Sequence, residues 1–338
     1  MKNHNLKICN ANIHPGEKTT LALPLPEQYS CSPMYMPIKV INGKHDGPCL
    51  LTFAMLDGDE FNGLEIINQL YDILEPNGLN GTLITIPALN VYGLTHYPKT
   101  TPSGVSIVNS FPGDEHGNFS ERIAYIFTEE ILKKADYCIE LQTGSLNHEI
   151  LPQVYCNFDN AKTKNLAKAF QAPVITEVET SKSALRQTTE NLNIPLLVYE
   201  AGEAMRFDQE AITTGIEGVL NVMRKIDMIN EEADDQVSPL FSKDEDWLTS
   251  PSSGILHAEV SLGEYIKKGD KLARLSDPFS NENTTVVKSP IDGVIVGINR
   301  SPLIQEGASI FKIDSFIDNI KAEALIEVWE ESQPDTSE

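Results

Sequence analysis

The chain has 338 residues, with 26 Lys and Arg against 49 Asp and Glu, and a formal charge of −23. That balance argues against a nucleic-acid partner or an anionic membrane surface, because phosphate needs Lys and Arg to neutralise it. It leaves room for an anionic small molecule held in a local basic pocket.

With 41% hydrophobic residues the chain can bury a sizeable core, and at roughly 150 residues per domain its length suggests two domains. The first residues show no apolar stretch of a secretory signal. No apolar run approaches the ~20 residues that a membrane span needs. Cys9, Cys31, Cys49, Cys138 and Cys156 are odd in number and form no CxxC pair. They read as reduced thiols of a cytoplasmic protein, with neither a disulfide framework nor a thiolate zinc site.

Residues 1–36 read as a strand-and-turn segment packing on the domain that follows. From 37 to 230, apolar runs alternate with helical patterns. Residues 50–56 form a continuous apolar run, expected of a strand buried on both faces. In residues 62–74, Leu64, Ile67, Leu70, Tyr71 and Leu74 recur at helical spacing. Residues 82–87 predict the next strand. Ser120 is expected to cap a helix running to Lys134. Residues 137–141 and 196–200 predict two more buried strands, and residues 209–229 a last helix. This alternation argues for a layered α/β fold with a parallel or mixed sheet. Residues 231–248 read as an acidic linker, and between 231 and 246 seven acidic residues face one Lys. In residues 249–320, glycines punctuate short β-like runs and predict a small all-β domain. Residues 321–338 read as a frayed acidic tail.

Open α/β sheets place ligands where strand ends meet loops. After the first buried strand comes Asp57-Gly58-Asp59-Glu60-Phe61-Asn62-Gly63. Asp57 and Glu60 can converge there on a cation; alternatively, Asp57 or Asp59 caps the next helix. Glu140-Leu141-Gln142-Thr143-Gly144 ends the second run. Its Glu140 is either paired in the interior or faces water on an edge strand. Tyr199-Glu200-Ala201-Gly202 ends the third, and a carboxylate at such a buried strand end can serve as a general base.

Taken in order, these segments resemble the succinylglutamate desuccinylase/aspartoacylase family of zinc-carboxypeptidase-like hydrolases. That family has His-Gly-Asp-Glu-x-x-Gly, Pro-x-x-Asn, Asp-Leu-Asn-Arg before Phe-Pro-Gly, Asp-Leu-His-Thr-Gly and Glu-Ala-Gly. Here they correspond to Asp57–Gly63, Pro87–Asn90, the segment before Phe111-Pro112-Gly113, Glu140–Gly144 and Glu200–Gly202. Gln153 follows in a Leu-Pro-Gln-Val run. The resemblance implies an α/β/α layered domain with a mixed sheet and an amidohydrolase that cleaves a linear amide C–N bond. It implies a zinc-activated water, with Glu200 as general base.

The metal positions fall on Asp57, Glu60 and Gln142, so both ligand histidines are replaced. An oxygen set of this kind suits a harder divalent ion than zinc, or none. The substrate-binding Asn-Arg pair falls on Val108 and Asn109, and its preceding Asp on Ser106. Ser106, Lys99, Asn109, Thr143 and Gln153 are therefore the expected substrate contacts. His148 is a candidate substitute ligand, and His96 and His116 are candidates for the cleft rim. The alternative is an inactive relative binding a small ligand or a protein through the old cleft.

The C-terminal run resembles the barrel-sandwich of biotinyl and lipoyl carriers. No Lys lies between Arg274 and Lys288 to accept biotin or lipoate. The domain is expected to shape the cleft or to support a homo-oligomer.

Overall fold

The computed structural model describes residues 5–27, 33–96, 99–230, 239–243, 247–280, 284–316, 324 and 326. Most of the expected acidic linker and tail, along with Cys31, lies outside them. In chain order the strands are β1 (Leu6–Ile8), β2 (Ala11–Ile13), β3 (Glu17–Pro24), β4 (Tyr35–Asn42), β5 (His45–Ala54), β6 (Asn80–Ile86), β7 (Tyr137–Gly144), β8 (His148–Cys156), β9 (Val174–Glu177) and β10 (Leu196–Glu203). Then come β11 (Leu240–Lys243), β12 (Leu248–Thr249), β13 (Gly254–Ala258), β14 (Tyr265–Ile266), β15 (Lys271–Ser276), β16 (Thr284–Lys288), β17 (Gly293–Asn299), β18 (Leu303–Ile304) and β19 (Ser309–Asp314). The helices are α1 (Phe61–Ile73), α2 (Gly93–His96), α3 (Phe119–Glu130), α4 (Ala161–Phe170), α5 (Ala184–Asn191) and α6 (Gln209–Lys225).

A mixed sheet forms the frame. Its central strands run β8-β10-β7-β5-β6-β4-β3, with β10, β7, β5 and β6 parallel and β8 and β4 antiparallel to their neighbours. The apolar runs of β5, β7 and β10 are buried on both faces because helices cover both. On one face α1, α4 and α6 pack on Leu50, Ala54, Ile139, Leu141, Leu197 and Tyr199. On the other, α3 and α5 pack on Leu51, Phe53, Cys138 and Val198. Side chains alternate between faces along a strand, so Glu140, Gln142 and Glu200 share the α3/α5 face.

Two local expectations change. The helix cap is Asn118, which accepts from the N–H groups of Ser120 and Glu121 in a capping box with Glu121. Asn outranks a following Ser here because Glu121 sits three residues on and reaches back to the Asn118 N–H. Helix α3 stops at Glu130, and Leu132–Lys134 is a separate 3₁₀ turn. Within the expected linker, Leu240–Lys243 is strand β11, pairing in parallel with β9.

The C-terminal strands divide between two sheets. Strands β17, β19 and β12 extend the main sheet, because β17 pairs with the N-terminal half of β8 while β9 takes its C-terminal half. Strands β16-β15-β13-β18 form a separate sheet. One apolar core, including Leu272, Leu275, Ile295, Ile310 and Phe311, packs between them.

Two glycines hold the loop after β5 against the turn that follows β6. A Cβ on Gly58 would stand 2.5 Å from the Gly93 Cα, so the backbones meet with no room for a methyl group. Asn90 fixes the same contact, donating to the Leu56 carbonyl and accepting from the Gly93 N–H. Gly58→Ala is expected to destabilise the fold by about 2–3 kcal/mol through overpacking against backbone. Gly78→Ala, whose new Cβ would meet nothing within 4 Å, should change stability by less than about 0.5 kcal/mol. Urea unfolding of both variants checks the contrast, and equal effects would contradict it.

Candidate active site

The site forms at the C-terminal ends of β5, β7 and β10. After β5 the chain turns through Met55, which has a left-handed φ of 55°, and leads to Asp57. Glu60 is the N-cap residue of α1 but makes no side-chain cap bond, so neither Asp57 nor Asp59 caps that helix. Instead Glu60 folds back. The N–H of Asp57 donates to its Oε2 (3.3 Å) and the N–H of Thr143 to its Oε1 (3.4 Å). Asn62 ties the start of α1 to the far strand, donating to the Ala201 carbonyl (3.4 Å) and accepting from the Asp208 N–H (3.0 Å).

Glu140 is 3% exposed in a central strand between β5 and β10, so it is an interior carboxylate and not an edge residue facing water. Gln142 donates its side-chain N–H to Glu140 Oε1 at 2.5 Å. Glu200 pairs in register with Gln142 on one side and Gln153 on the other. The row Gln153–Glu200–Gln142 thus crosses three strands. Gln153 is fully buried, and its Nε2 has no hydrogen-bond partner. Its Oε1 accepts from Thr176 (3.1 Å). Thr176 contacts Ser242 (2.9 Å), which donates to Asp314 of β19 (2.7 Å). A buried polar chain therefore links the site row to the C-terminal strands.

The expected substrate contacts are divided. Lys99 joins the site, with its ammonium 3.7 Å from Asp57 Oδ2 and donating to Ser145 Oγ at 3.1 Å. Thr143 takes part through its backbone N–H, while its hydroxyl is buried without a hydrogen-bond partner. Ser106 caps the 3₁₀ turn Ile107–Ser110 by accepting from the Val108 N–H. Asn109 is exposed. No hydrogen bond ties Ser106 or Asn109 to the carboxylates among the described residues. His116 is exposed.

His148 has both ring nitrogens engaged, Nδ1 with the Leu146 carbonyl and Nε2 with Asn299 Nδ2. Asn299 Nδ2 also donates to the Ser309 carbonyl and its Oδ1 accepts from the Ser301 N–H.

Residues that the pattern of the sequence did not single out complete the surroundings. Arg186 of α5 lies near Glu140 and favours its ionised form. Tyr155, Trp247, Ser309 and Lys312 line a cavity of about 240 Å³ together with Ser145, His148, Ile150 and Glu200. The signal for Lys312 was present, since a lone Lys between Phe311 and Ile313 in an alternating strand must be either on an edge or buried for a reason.

Burial raises all three carboxyls on this side. Asp57 is pushed up by burial and by Asp59, against the pull of Lys99. Glu60 is pushed well up by burial and then by Asp57, and the two backbone N–H bonds only partly oppose this. Glu140 is pushed up to about 6 by burial, against Arg186 and the Gln142 bond.

For Glu140 the folded protein keeps a proton that the unfolded chain releases near 4.5. The stabilisation is complete below that pH and is lost as pH rises to about 6. Between about pH 3.5 and 7, the stability of the native protein relative to Glu140→Gln should fall by about 2 kcal/mol. Urea unfolding across that range measures it, and a difference independent of pH would contradict the assignment.

Known proteins resemble the chain along most of its length. The succinylglutamate desuccinylase/aspartoacylase catalytic domain matches residues 46–226, the stretch that carries Asp57, Glu60, Gln142 and Glu200. An N-alpha-acetyl-L-2,4-diaminobutyric acid deacetylase of Halomonas elongata is 25% identical over 314 residues, covering 89% of this chain and 92% of that protein. Among solved structures, a succinylglutamate desuccinylase/aspartoacylase from Rhodobacter sphaeroides superposes with a TM-score of 0.79 at 21% identity, over 89% of this chain and 95% of its own. The product-bound ectoine utilization protein of Ruegeria pomeroyi gives 0.79 at 21%, over 89% and 97%. These structures share the fold along the C-terminal strands as well as the α/β region. With more than half of its length matched to that catalytic domain, the chain belongs to the succinylglutamate desuccinylase/aspartoacylase family.

Proposed function

We propose that the protein hydrolyses a linear amide C–N bond in a small N-acyl compound, with Glu200 as general base. The observation that carries this reading is the setting of Glu200, in register between Gln142 and Gln153 and on the wall of a cavity. Glu200 takes a proton from water, whose oxygen attacks the amide carbonyl. The C–N bond then breaks, and Glu200 returns the proton to the leaving amine. Lys99 supplies positive charge towards the oxyanion that forms; its pairing with Asp57 and Ser145 supports that role. Gln153 contributes the partnerless N–H of its buried amide to the substrate, with Thr143, Ser106 and Asn109 farther out. The named deacetylase relative suggests an N-acetyl amine.

The zinc site of the family does not fit the residues present. Zinc favours imidazole and thiolate, whereas Asp57, Glu60 and Gln142 offer only oxygens. Glu60 already accepts two backbone N–H bonds, Asp57 faces the Lys99 ammonium, and the Gln142 amide is turned to Glu140. A hard dication that wants about six oxygens finds too few here. Among the described residues, no group of three or more His, Cys, Asp or Glu converges to hold a metal. The Lys99–Asp57 pair also favours a second reading, a member that binds a small ligand without cleaving it. We further propose that the C-terminal strands form the barrel-sandwich unit that caps the cleft, and that they are the surface for a homo-oligomer.

Protein purified without chelators and offered zinc should hold less than about 0.1 equivalent. Asp57→His combined with Gln142→His should raise zinc affinity at least about 10-fold. Elemental analysis and zinc titration measure these, and an unchanged affinity would show that the ligand positions are misassigned.

A panel of N-acetyl amino acids separates the two functional readings. Turnover by the native protein that falls about 100-fold or more in Glu200→Gln supports hydrolysis. Binding without turnover supports the second reading.

A further inference from the structure

We propose that the cavity at the start of β10, between α4 and α5, is a second ligand site, for a small oxyanion held by Arg186 and Lys162. The site is separate from the row Gln153–Glu200–Gln142 and does not depend on the hydrolase reading.

The cavity has a volume of about 270 Å³. Pro195 and Leu196 line it at the N-terminal end of β10, and Glu200 does not. The strand from Leu196 to Glu200 covers about 13 Å. The other walls come from the end of β8, the first turn of α4, the turn after β9 and α5. The space is smaller than the roughly 300–1,000 Å³ of a pocket for a drug-sized ligand, so its occupant is small.

The charged residues of the lining are Lys162, Arg186 and Glu190, two cations against one acid. In a chain of charge −23 this local excess of positive charge runs against the composition. Arg186 is half-buried. Its backbone N–H donates to Ser183 Oγ, and its carbonyl accepts from the Thr189 hydroxyl. Among the described residues no hydrogen bond or salt bridge engages its guanidinium; Glu140 feels its charge without a hydrogen bond to it. A guanidinium presents its N–H groups as a planar fork that fits an oxyanion in bidentate fashion. Lys162, in the first turn of α4, holds its ammonium 4.3 Å from the centre of the Tyr137 ring.

The neutral groups point to the same class of ligand. Asn160 turns its Oδ1 to the N–H groups of Lys162 and Thr163, and Asn157 turns its Oδ1 to the Asp159 N–H. Thr180 Oγ1 accepts from Asn157 Nδ2 at 3.0 Å. These acceptors are used inside the protein, while the Asn160 Nδ2 hydrogens and the Thr180 hydroxyl hydrogen remain to donate. A ligand that only accepts hydrogen bonds answers that imbalance. Glu190 tempers the charge and favours a singly charged form of the anion.

NMR of the Arg Nε–H and Asn side-chain amide groups reads the site without turnover. Inorganic phosphate or acetate is added against chloride at constant ionic strength. The Arg186 Nε–H and Asn160 Nδ2 signals should shift saturably, with a Kd below about 10 mM. Arg186→Gln, read at Asn160, should weaken binding at least about 10-fold. Lys162 is exposed, so Lys162→Glu serves as a second variant where Arg186→Gln fails to fold. It reverses the charge balance of the lining and should weaken binding by at least as much. Lys99→Gln, in the other site, should leave the titration unchanged. Saturation by acetate alone supports the site with a carboxylate as its ligand, and saturation by phosphate supports it with a phosphoryl group. No saturable shift with either anion overturns the proposal. Binding that survives in Lys162→Glu or in folded Arg186→Gln, or that disappears in Lys99→Gln, overturns it as well.

Discussion

Carboxylates crowd the ends of three adjacent parallel strands. Asp57 and Glu60 follow β5, Glu140 lies in β7 and Glu200 in β10, and burial disfavours a negative charge on each of the first three. Like charges in a poorly hydrated place cannot all ionise without compensation. Here the compensation comes from several small sources. Lys99 faces Asp57, two backbone N–H groups reach Glu60, and Gln142 and Arg186 act on Glu140. Burial also raises the proton affinity of these three carboxyls. The closeness of Gly58 to Gly93 and the Asn90 bonds hold the first loop where this balance is set.

Under the proposed assignment of the ligand positions, the same balance would set this chain apart from a zinc hydrolase. On that assignment, two imidazoles and a dication would supply net positive charge at the positions of two carboxylates and an amide. The Lys99 ammonium lies 3.7 Å from Asp57, an exposed pair that contributes little to stability by itself. Lys312 stands on a strand of the C-terminal region and lines the same cavity as Ser145, which Lys99 contacts. The buried chain Gln153–Thr176–Ser242–Asp314 runs between the same two parts of the molecule. The C-terminal strands are thus built into the site frame through the pairing of β17 with β8.

Much of the frame was legible in the sequence because it rests on apolar periodicity. The buried runs of β5, β6, β7 and β10 and the helices α1 and α6 are single-period signals. The family resemblance pointed to Asp57, Glu60, Gln142 and Glu200 because strand ends carry its motifs in a fixed order, and the structure brings these residues to the ends of β5, β7 and β10. The helix cap at Asn118 was missed since Ser120 is also a good cap, and only the reach of Glu121 decides between them. Strand β11 was hidden in acidic surroundings, where composition outweighs a four-residue strand. Lys312 and Arg186 were missed for a different reason. Their partners Tyr155 and Glu140 lie far away in the chain, and only the register of β8, β17 and β19 and the packing of α5 bring them together. The strong negative charge argued only against nucleic acid and anionic membrane, and cations such as Lys99 and Arg186 stand locally among the carboxylates.

The proposed reading requires that protons and side-chain cations, and not a dication, balance the carboxylates. The most direct measurement is an NMR titration of the ¹³C-labelled Glu side-chain carboxyls in chelator-treated protein, repeated with added zinc. Glu140 should titrate near 6 and Glu60 well above the ordinary range, with neither moved by zinc. Carboxyls that titrate near the ordinary ~4.3, or a Glu60 resonance that zinc shifts at stoichiometric addition, would contradict the claim.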